Sequence, residues 1–325
     1  MVNLLPIASG KGGVGKSSFS VNLAVALARK GKSVVLADLD FGGANLHTLL
    51  GLKNNHIGLG NYIYKQTEDF NSLLQDTQIP NLKFIAGDCL FPGTANMELS
   101  AKRRIIKSLN ALEVDYVIMD LGAGTTYNTL DFFLLTYNSI MVTTPELTSI
   151  LNAYSFLKAA AFRFLMRQFK AKSEERLFIN NFLKNSSTGT EASFSTLINQ
   201  IKENYPESGV KILEELEKYR PQIIINMGQV SSDLEMAKKF RKLVFDKLSI
   251  KMDFVGFLPR DERVGYSVAL RSPLLLTNPT CKFAESVNTS AEKIIQHSYK
   301  INELNEYEDD DNNMDLNTLS SEFNK

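Results

Sequence analysis

The chain has 325 residues, 44% hydrophobic and 22% charged, the balance of a globular protein with room for one large α/β domain or two small ones. Lys plus Arg and Asp plus Glu both number 36, so no global charge draws it to nucleic acid or membrane, and any such binding must come from a local patch. No apolar stretch reaches about 18 residues and no leader pattern opens the chain, which excludes a membrane span and predicts a cytoplasmic protein.

In chain order, Leu4–Ala8 is a short apolar run and the first candidate strand. Gly10-Lys11-Gly12-Gly13-Val14-Gly15-Lys16-Ser17 follows and fits the pattern G-x-x-x-x-G-K-[ST]. Such a loop needs glycines so that successive backbone N–H groups can turn inward around phosphate oxygens. Lys16 is then placed to reach the β- and γ-phosphates, and the Ser17 hydroxyl to sit on Mg²⁺. Ser20–Arg29 is a strong helix former closed by Gly31, and its N-terminal dipole points at the same anion.

Ser33–Asp38 is the next strand, running into Ala37-Asp38-Leu39-Asp40-Phe41-Gly42-Gly43. Strand alternation puts both aspartates on one side, where hard oxygens suit Mg²⁺ and the positioning of an attacking water. Asp followed by Gly-Gly is also ordinary turn chemistry. After Leu82–Ala86, the strand Tyr116–Asp120 ends its apolar run in an acid, a Walker B arrangement that reaches Mg²⁺ through a water or through Ser17. Leu121-Gly122-Ala123-Gly124 is a flexible loop able to sense a γ-phosphate. Ile140–Thr144, Gln222–Asn226 and Phe254–Leu258 complete the strands. Continuous apolar runs alternating with helices predict a doubly wound, mostly parallel α/β sheet of the P-loop NTPase type.

Residues 166–221 are too long for one crossover helix. Asn185-Ser186-Ser187-Thr188-Gly189-Thr190 reads as a loop there, and Phe194–Tyr205 and Val210–Tyr219 read as helices, with Phe194, Leu197, Ile198 and Ile201 at helical spacing. The charges around them are mixed in sign, and the segment is expected to be a helical insertion. Phe283, Val287, Ile294 and Ile295 mark a last core-facing helix ending near Lys300. Glu303, Glu306, Glu308, Asp309, Asp310, Asp311 and Asp315 then make residues 301–325 an acidic tail, expected to be disordered. The domain expectation is one ATPase domain over 1–300, with the insertion at about 166–221, followed by that tail. Two basic clusters, Lys102/Arg103/Arg104/Lys107 and Lys238/Lys239/Arg241/Lys242, could meet phosphates of DNA or lipid. The simpler reading of each is the solvated face of an amphipathic helix.

Lys11, the second residue of the loop, makes it resemble the deviant Walker A family of MinD, ParA, the nitrogenase iron protein and their relatives. Ala44-Asn45-Leu46 and Leu49-Leu50-Gly51 look like the first switch of MinD-type ATPases, and Val21–Leu27 and Asp120–Gly124 also fit. Thr144-Pro145-Glu146-Leu147-Thr148-Ser149-Ile150 with Ala153-Tyr154 is closest to FlhG-like members, regulators of flagellar number. The resemblance covers roughly residues 4–160 and 222–296.

The resemblance implies ATP with Mg²⁺ as ligands, slow hydrolysis, and an ATP-dependent homodimer in which Lys11 reaches the partner's phosphates. It implies catalytic roles for Lys11, Lys16 and Asp40. Nucleotide contacts would come from Gly10, Lys11, Gly12, Gly13, Val14, Gly15, Lys16, Ser17 and Ser18. Asn226 would contact adenine, and Pro259 and Asp261 of the Pro259-Arg260-Asp261 loop would pack around the base. Ser17, Asp38, Asp40 and Asp120 would serve the metal. The expected function is spatial or numerical regulation of a cellular structure, the flagellum, with flagellar or polar assembly factors as partners. The alternatives are ParA-type partitioning on DNA and a MinD-like division-site role.

The chain departs from these relatives in three respects. Its first strand starts by Leu4, without the N-terminal extension that stimulates a partner GTPase in FlhG relatives. Its tail is acidic where MinD and FlhG carry a basic lipid-binding helix, which sets peripheral attachment to the cytoplasmic membrane in question. The helical insertion is not part of the family core. Cys89 and Cys281 are far apart with no C-x-x-C spacing, which fits a reducing compartment and argues against a metal-cluster ATPase. Residues 166–221 hold Met166 alone among methionines, against a membrane-insertion targeting ATPase with its methionine-rich groove.

Overall fold

Eight strands line up in one sheet: β1 (Asn3–Ala8), β2 (Val34–Leu39), β3 (Gln75–Asp76), β4 (Leu82–Ile85), β5 (Tyr116–Leu121), β6 (Ile140–Thr143), β7 (Gln222–Gly228) and β8 (Asp253–Pro259). The computed structural model describes residues 2–53, 57–87, 97–186, 193–230 and 232–296. Across the sheet the order is β3-β4-β2-β5-β1-β6-β7-β8, and every pairing is parallel except β3 with β4. All seven strands expected from apolar runs are present. The eighth, β3, is a two-residue edge strand, too short and too polar to carry a pattern.

The helices in chain order are α1 (Lys16–Arg29), α2 (Leu46–Leu49), α3 (Leu59–Ile63), α4 (Leu99–Asn110), α5 (Tyr127–Phe133), α6 (Leu147–Arg167), α7 (Glu174–Ser186), α8 (Phe194–Asn204), α9 (Pro206–Lys218), α10 (Ser232–Leu248), α11 (Arg263–Ala269), α12 (Leu274–Thr277) and α13 (Lys282–Gln296). Successive strand residues point to opposite faces, so the continuous apolar strands feed two cores. Val35, Ala37, Val117, Met119, Ile223 and Ile225 pack with α4, α5, α6, α8 and α10. Leu5, Ile7, Val34, Leu36, Ile118 and Ile224 pack with α1, α12 and α13 on the other side. Both faces are covered, which is why these strands read as unbroken hydrophobic runs.

The insertion is helical, as expected, and begins after α6. Phe162 of α6 meets Phe194 of α8 edge-on at 5.3 Å, and Phe164 stacks on Tyr219 at 5.0 Å, anchoring the added helices to the sheet's own cover. Phe194, Leu197, Ile198 and Ile201 are all buried. Helix α9 starts at Pro206 rather than Val210, because proline is well suited to a first helical turn. Helix α7 ends with Asn185 and Ser186 of the expected loop, and the rest of that loop, 187–190, lies outside the described residues. So do Cys89 and the tail over 301–325, and α13 is described to Gln296.

One basic cluster loses two of its four members on folding, while Arg103 and Lys107 stay exposed. Lys102 is buried and places its ammonium 2.5 Å from Asp131, whose carboxylate also takes Arg163 through Nε at 2.9 Å and Nη2 at 3.1 Å. Arg104 donates to the carbonyls of Tyr62 and Ile63. Burial pushes the Asp131 carboxyl up, but Arg163 and then Lys102 outweigh it, and the pKa falls below 3.8. This node ties α4, α5 and α6 together. Asp131→Asn leaves two buried cations short of a counter-charge and should destabilise the protein by about 3–5 kcal/mol at neutral pH. A depressed folded-state pKa stabilises above the unfolded value, so the wild type's margin over the variant should close as pH falls below 3.8. Urea unfolding of both proteins across that range checks this.

Candidate functional site

The phosphate loop leaves the carboxyl end of β1 and enters α1. Gly13 and Gly15 take φ of 80° and 82°, left-handed values that only glycine adopts freely. A Cβ on Gly10 would lie 2.3 Å from the Asn152 backbone of α6, and one on Gly15 would lie 2.2 Å from Asn226 Nδ2. A Cβ on Gly12 or Gly13 would meet nothing within 4 Å. The loop is therefore pressed against the protein at its ends and open in its middle. The backbone N–H groups of Gly12, Gly13 and Val14 have no hydrogen-bond partner among the described residues, and the positive end of α1 follows directly after them. The donor set suits a phosphate chain.

Beneath the loop sits Asp120, 1% exposed, at the end of β5. The Lys16 ammonium is 2.7 Å from Asp120 Oδ2. The Ser17 hydroxyl donates to the same oxygen at 2.7 Å, and the Ser20 hydroxyl donates to Oδ1 at 2.6 Å. Ser18 is half-buried on the same turn, its carbonyl accepting from Asn22 Nδ2 at 2.7 Å. The expected link from Ser17 to Asp120 is present. Ser20 was not foreseen, although its place one turn after Lys16 on α1 is readable in the sequence.

Asp38 and Asp40 differ in role. Asp38 pairs in register with Asp120 across β2 and β5, is buried, and spends its oxygens on the backbone N–H groups of Asp40 and Leu46, each at 3.1 Å. Its pKa is pushed up to about 7, first by burial and then by the neighbouring Asp120 charge. It orders the loop that follows β2 through these two hydrogen bonds. Asp40 lies one residue beyond β2, half-buried. Its Oδ1 would be 3.2 Å from a Cβ on Gly122, so it stands between the loops that follow β2 and β5.

Lys11 points away from Lys16. It is 33% exposed and reaches Glu146 Oε2 at 3.3 Å and Thr148 Oγ1 at 3.4 Å, at the start of α6. Asn226 lies against the loop, donating Nδ2 to the Val14 carbonyl at 2.8 Å. Pro259 ends β8 one strand further out, above a depression of about 450 Å³ lined also by Arg260, Asp261, Arg263 and Tyr266. The Asp261 carboxylate is gripped by the Arg263 guanidinium at 2.8 Å through both Nε and Nη2. Hydrogen bonds from Arg263 hold its pKa down. Asp261 therefore fixes the start of α11, leaving Pro259 and Arg260 at the rim.

Residues 1–163 match the ParA family model, described as NUBPL iron-transfer P-loop NTPase. The chain belongs to the ParA/MinD family of P-loop NTPases. The septum site-determining protein MinD of Helicobacter pylori is 33% identical over 153 residues, 46% of this chain and 56% of that protein. The flagellum site-determining protein YlxH of the same organism is 30% identical over 212 residues, 62% of this chain and 64% of that one. These matches thus span less than two thirds of either relative. The MinD of Pyrococcus horikoshii complexed with Mg-ADP shares the fold, with a TM-score of 0.63 at 19% identity over 93% of this chain and 100% of that one. Within the family frame, the phosphate loop, Asp40 and Asp120 stand at the carboxyl ends of parallel strands, where ligands of open α/β sheets bind.

A test follows from the contact between Gly15 and Asn226. Gly15→Ala should cost more than the about 1–2 kcal/mol of a left-handed alanine alone, since its methyl meets the Asn226 amide. In an Asn226→Ala background the cost should fall toward that figure. A double-mutant cycle by urea unfolding measures this, and strictly additive costs would count against the contact.

Proposed function

We propose that this protein binds ATP with Mg²⁺, hydrolyses it slowly, and uses the ATP-bound state to form a homodimer that regulates the placement or number of flagella. The observation that carries the switch is the opposite orientation of the two loop lysines. Lys16 turns inward onto Asp120, and Lys11 turns outward to the surface. The Lys11–Glu146 pair is solvent-exposed, with side chains 33% and 67% accessible, and such pairs hold little energy. Lys11 can therefore leave Glu146 for a phosphate of a second copy at little cost.

The residues divide the chemistry by position. The Gly12–Gly15 backbone and Lys16 bind the phosphates and offset charge as it develops on the γ-phosphoryl. Ser17 and Asp120 would hold Mg²⁺, which supplies further neutralisation of phosphate charge when bound. Asp40, between the loops after β2 and β5, orients the attacking water. Asn226 and Pro259 flank the site on the side of β7 and β8 and would meet the base.

The flagellar assignment is supported by the larger share of this chain matched by the YlxH protein than by MinD of the same organism, 62% against 46%. The Pro145-Glu146…Thr148-Ser149 segment, which contacts Lys11, points the same way. DNA binding gains no support from α10, where Lys238 and Lys242 are paired with Glu235 and Asp246 of their own helix. Iron transfer gains none from the cysteines, which have no C-x-x-C spacing.

Two variants test the reading. Asp40→Ala should bind ATP normally but lose turnover, since water orientation matters only on the way to the transition state; a wild-type hydrolysis rate would sink that role. Lys11→Ala should bind ATP as a monomer and fail to dimerise, because phosphates would face each other without crossing positive charge. Light scattering with ATP and Mg²⁺ reads this directly, and dimerisation at the wild-type level would refute it.

A further inference from the structure

Met227 has a backbone conformation that the rest of its strand does not share. Its φ is 59°, in the left-handed region that is costly for a residue with a side chain. The other non-glycine residues with positive φ among those described, Lys65, Asn81, Ser249 and Arg271, lie in turns or just beyond helices, whereas Met227 lies inside β7. There the register with β8 slips between Ile225 and Gly228. Such a bulge re-aims a side chain, and bulges recur beside active sites.

The effect of the bulge is visible at Gly15. Consecutive residues of a regular strand point to opposite faces, yet Asn226 and Met227 both reach the same point of the phosphate loop. A Cβ on Gly15 would lie 2.2 Å from Asn226 Nδ2 and 3.4 Å from Met227 Cε. The two side chains differ in what they leave free. Asn226 is buried and spends its Nδ2 on the Val14 carbonyl. Met227 is 36% exposed, in a strand whose other residues are all buried. On its other flank the Gly228 carbonyl accepts the Arg260 N–H at 2.8 Å. Met227 therefore stands between the phosphate loop and the Pro259–Arg260 segment with an apolar side chain open to solvent. Strained backbone persists only where its surroundings hold it, and it clusters at ligand sites.

We infer that Met227 is a specificity-determining residue of the nucleotide site, its thioether forming an apolar platform for the base, a role that rests on the ATP reading and deepens it. The loop backbone and Lys16 would take the phosphates, and those contacts are blind to the base. A flexible, polarisable thioether makes favourable contacts with aromatic rings, and dispersion grows with the number of atoms in contact. A fused purine offers that surface more atoms than a single-ring pyrimidine. Covering the exposed part of the methionine adds an apolar contribution. The site should therefore favour a purine nucleotide, with position 227 carrying the preference.

The test measures Mg-ADP and Mg-CDP binding to the full chain by calorimetry, alongside thermal unfolding of the nucleotide-free protein. Met227→Gly should leave the melting temperature unchanged or raise it, because glycine adopts a left-handed φ freely. It should weaken Mg-ADP about tenfold, the scale of a partly buried apolar side chain. Mg-CDP should weaken by about threefold or less, having fewer atoms on the platform. Met227→Leu conserves volume and apolar character and should bind Mg-ADP within about threefold of the wild type. A merely structural role for Met227 would lower the melting temperature of the glycine variant and leave the ratio of the two affinities where it was. The inference is overturned if Met227→Gly binds Mg-ADP as the wild type does, or if it weakens both nucleotides alike. Either result leaves the ATP reading standing, whereas a wild type that binds neither nucleotide would overturn that reading itself.

Discussion

A carboxylate buried under the phosphate loop organises the functional end of this molecule. An anion removed from water is tolerated only with a counter-charge and hydrogen bonds around it. Asp120 obtains both from the first turns of α1: the Lys16 ammonium and the hydroxyls of Ser17 and Ser20. The same contacts pin the start of α1 to the end of β5, which fixes where the loop between β1 and α1 can lie. Lys16, the lysine proposed to grip phosphate, is thereby held in place by Asp120, the acid proposed to serve the metal. Asp38 next to it feels the arrangement as a cost. Burial, then the charge of Asp120, pushes its pKa to about 7, and it recovers stability by accepting two backbone N–H groups that shape the next loop.

The fold was legible because its strands are buried on both faces. Val34–Leu39, Tyr116–Leu121 and Gln222–Gly228 read as continuous apolar runs, and the helices between them as amphipathic stretches. What escaped had weak local signals. The edge strand Gln75–Asp76 has two residues and no hydrophobic face buried on it. Helix α7 was hidden by mixed charges, although Glu174 and Glu175 in its first turn are the residues that a helix N-terminus favours.

At the site, the contiguous motif was readable and the distant partners were not. The loop from Gly10 to Ser18 announces itself by spacing. That Asn226 touches Val14, 212 residues away, or that Lys11 rests on Glu146 and Thr148, depends on how strands are ordered in the sheet. The same holds for Lys102, which reads as part of a basic helix face and is in fact sealed against Asp131. A charge pattern gives the sign of a surface only for residues that stay on it. Asp38 shows the related limit for acids, since strand position gave its side and not what its oxygens would meet.

Helix α6 has 21 residues, a rod of about 31 Å. Near its first turns the backbone at Asn152 packs so tightly on Gly10 that a single methyl group there would overlap it. Its far half carries Phe162 and Phe164, on which the inserted helices rest. One helix thus carries both contacts, the phosphate loop near its start and the inserted helices toward its end, and the missing side chain at position 10 is what lets the loop lie against it.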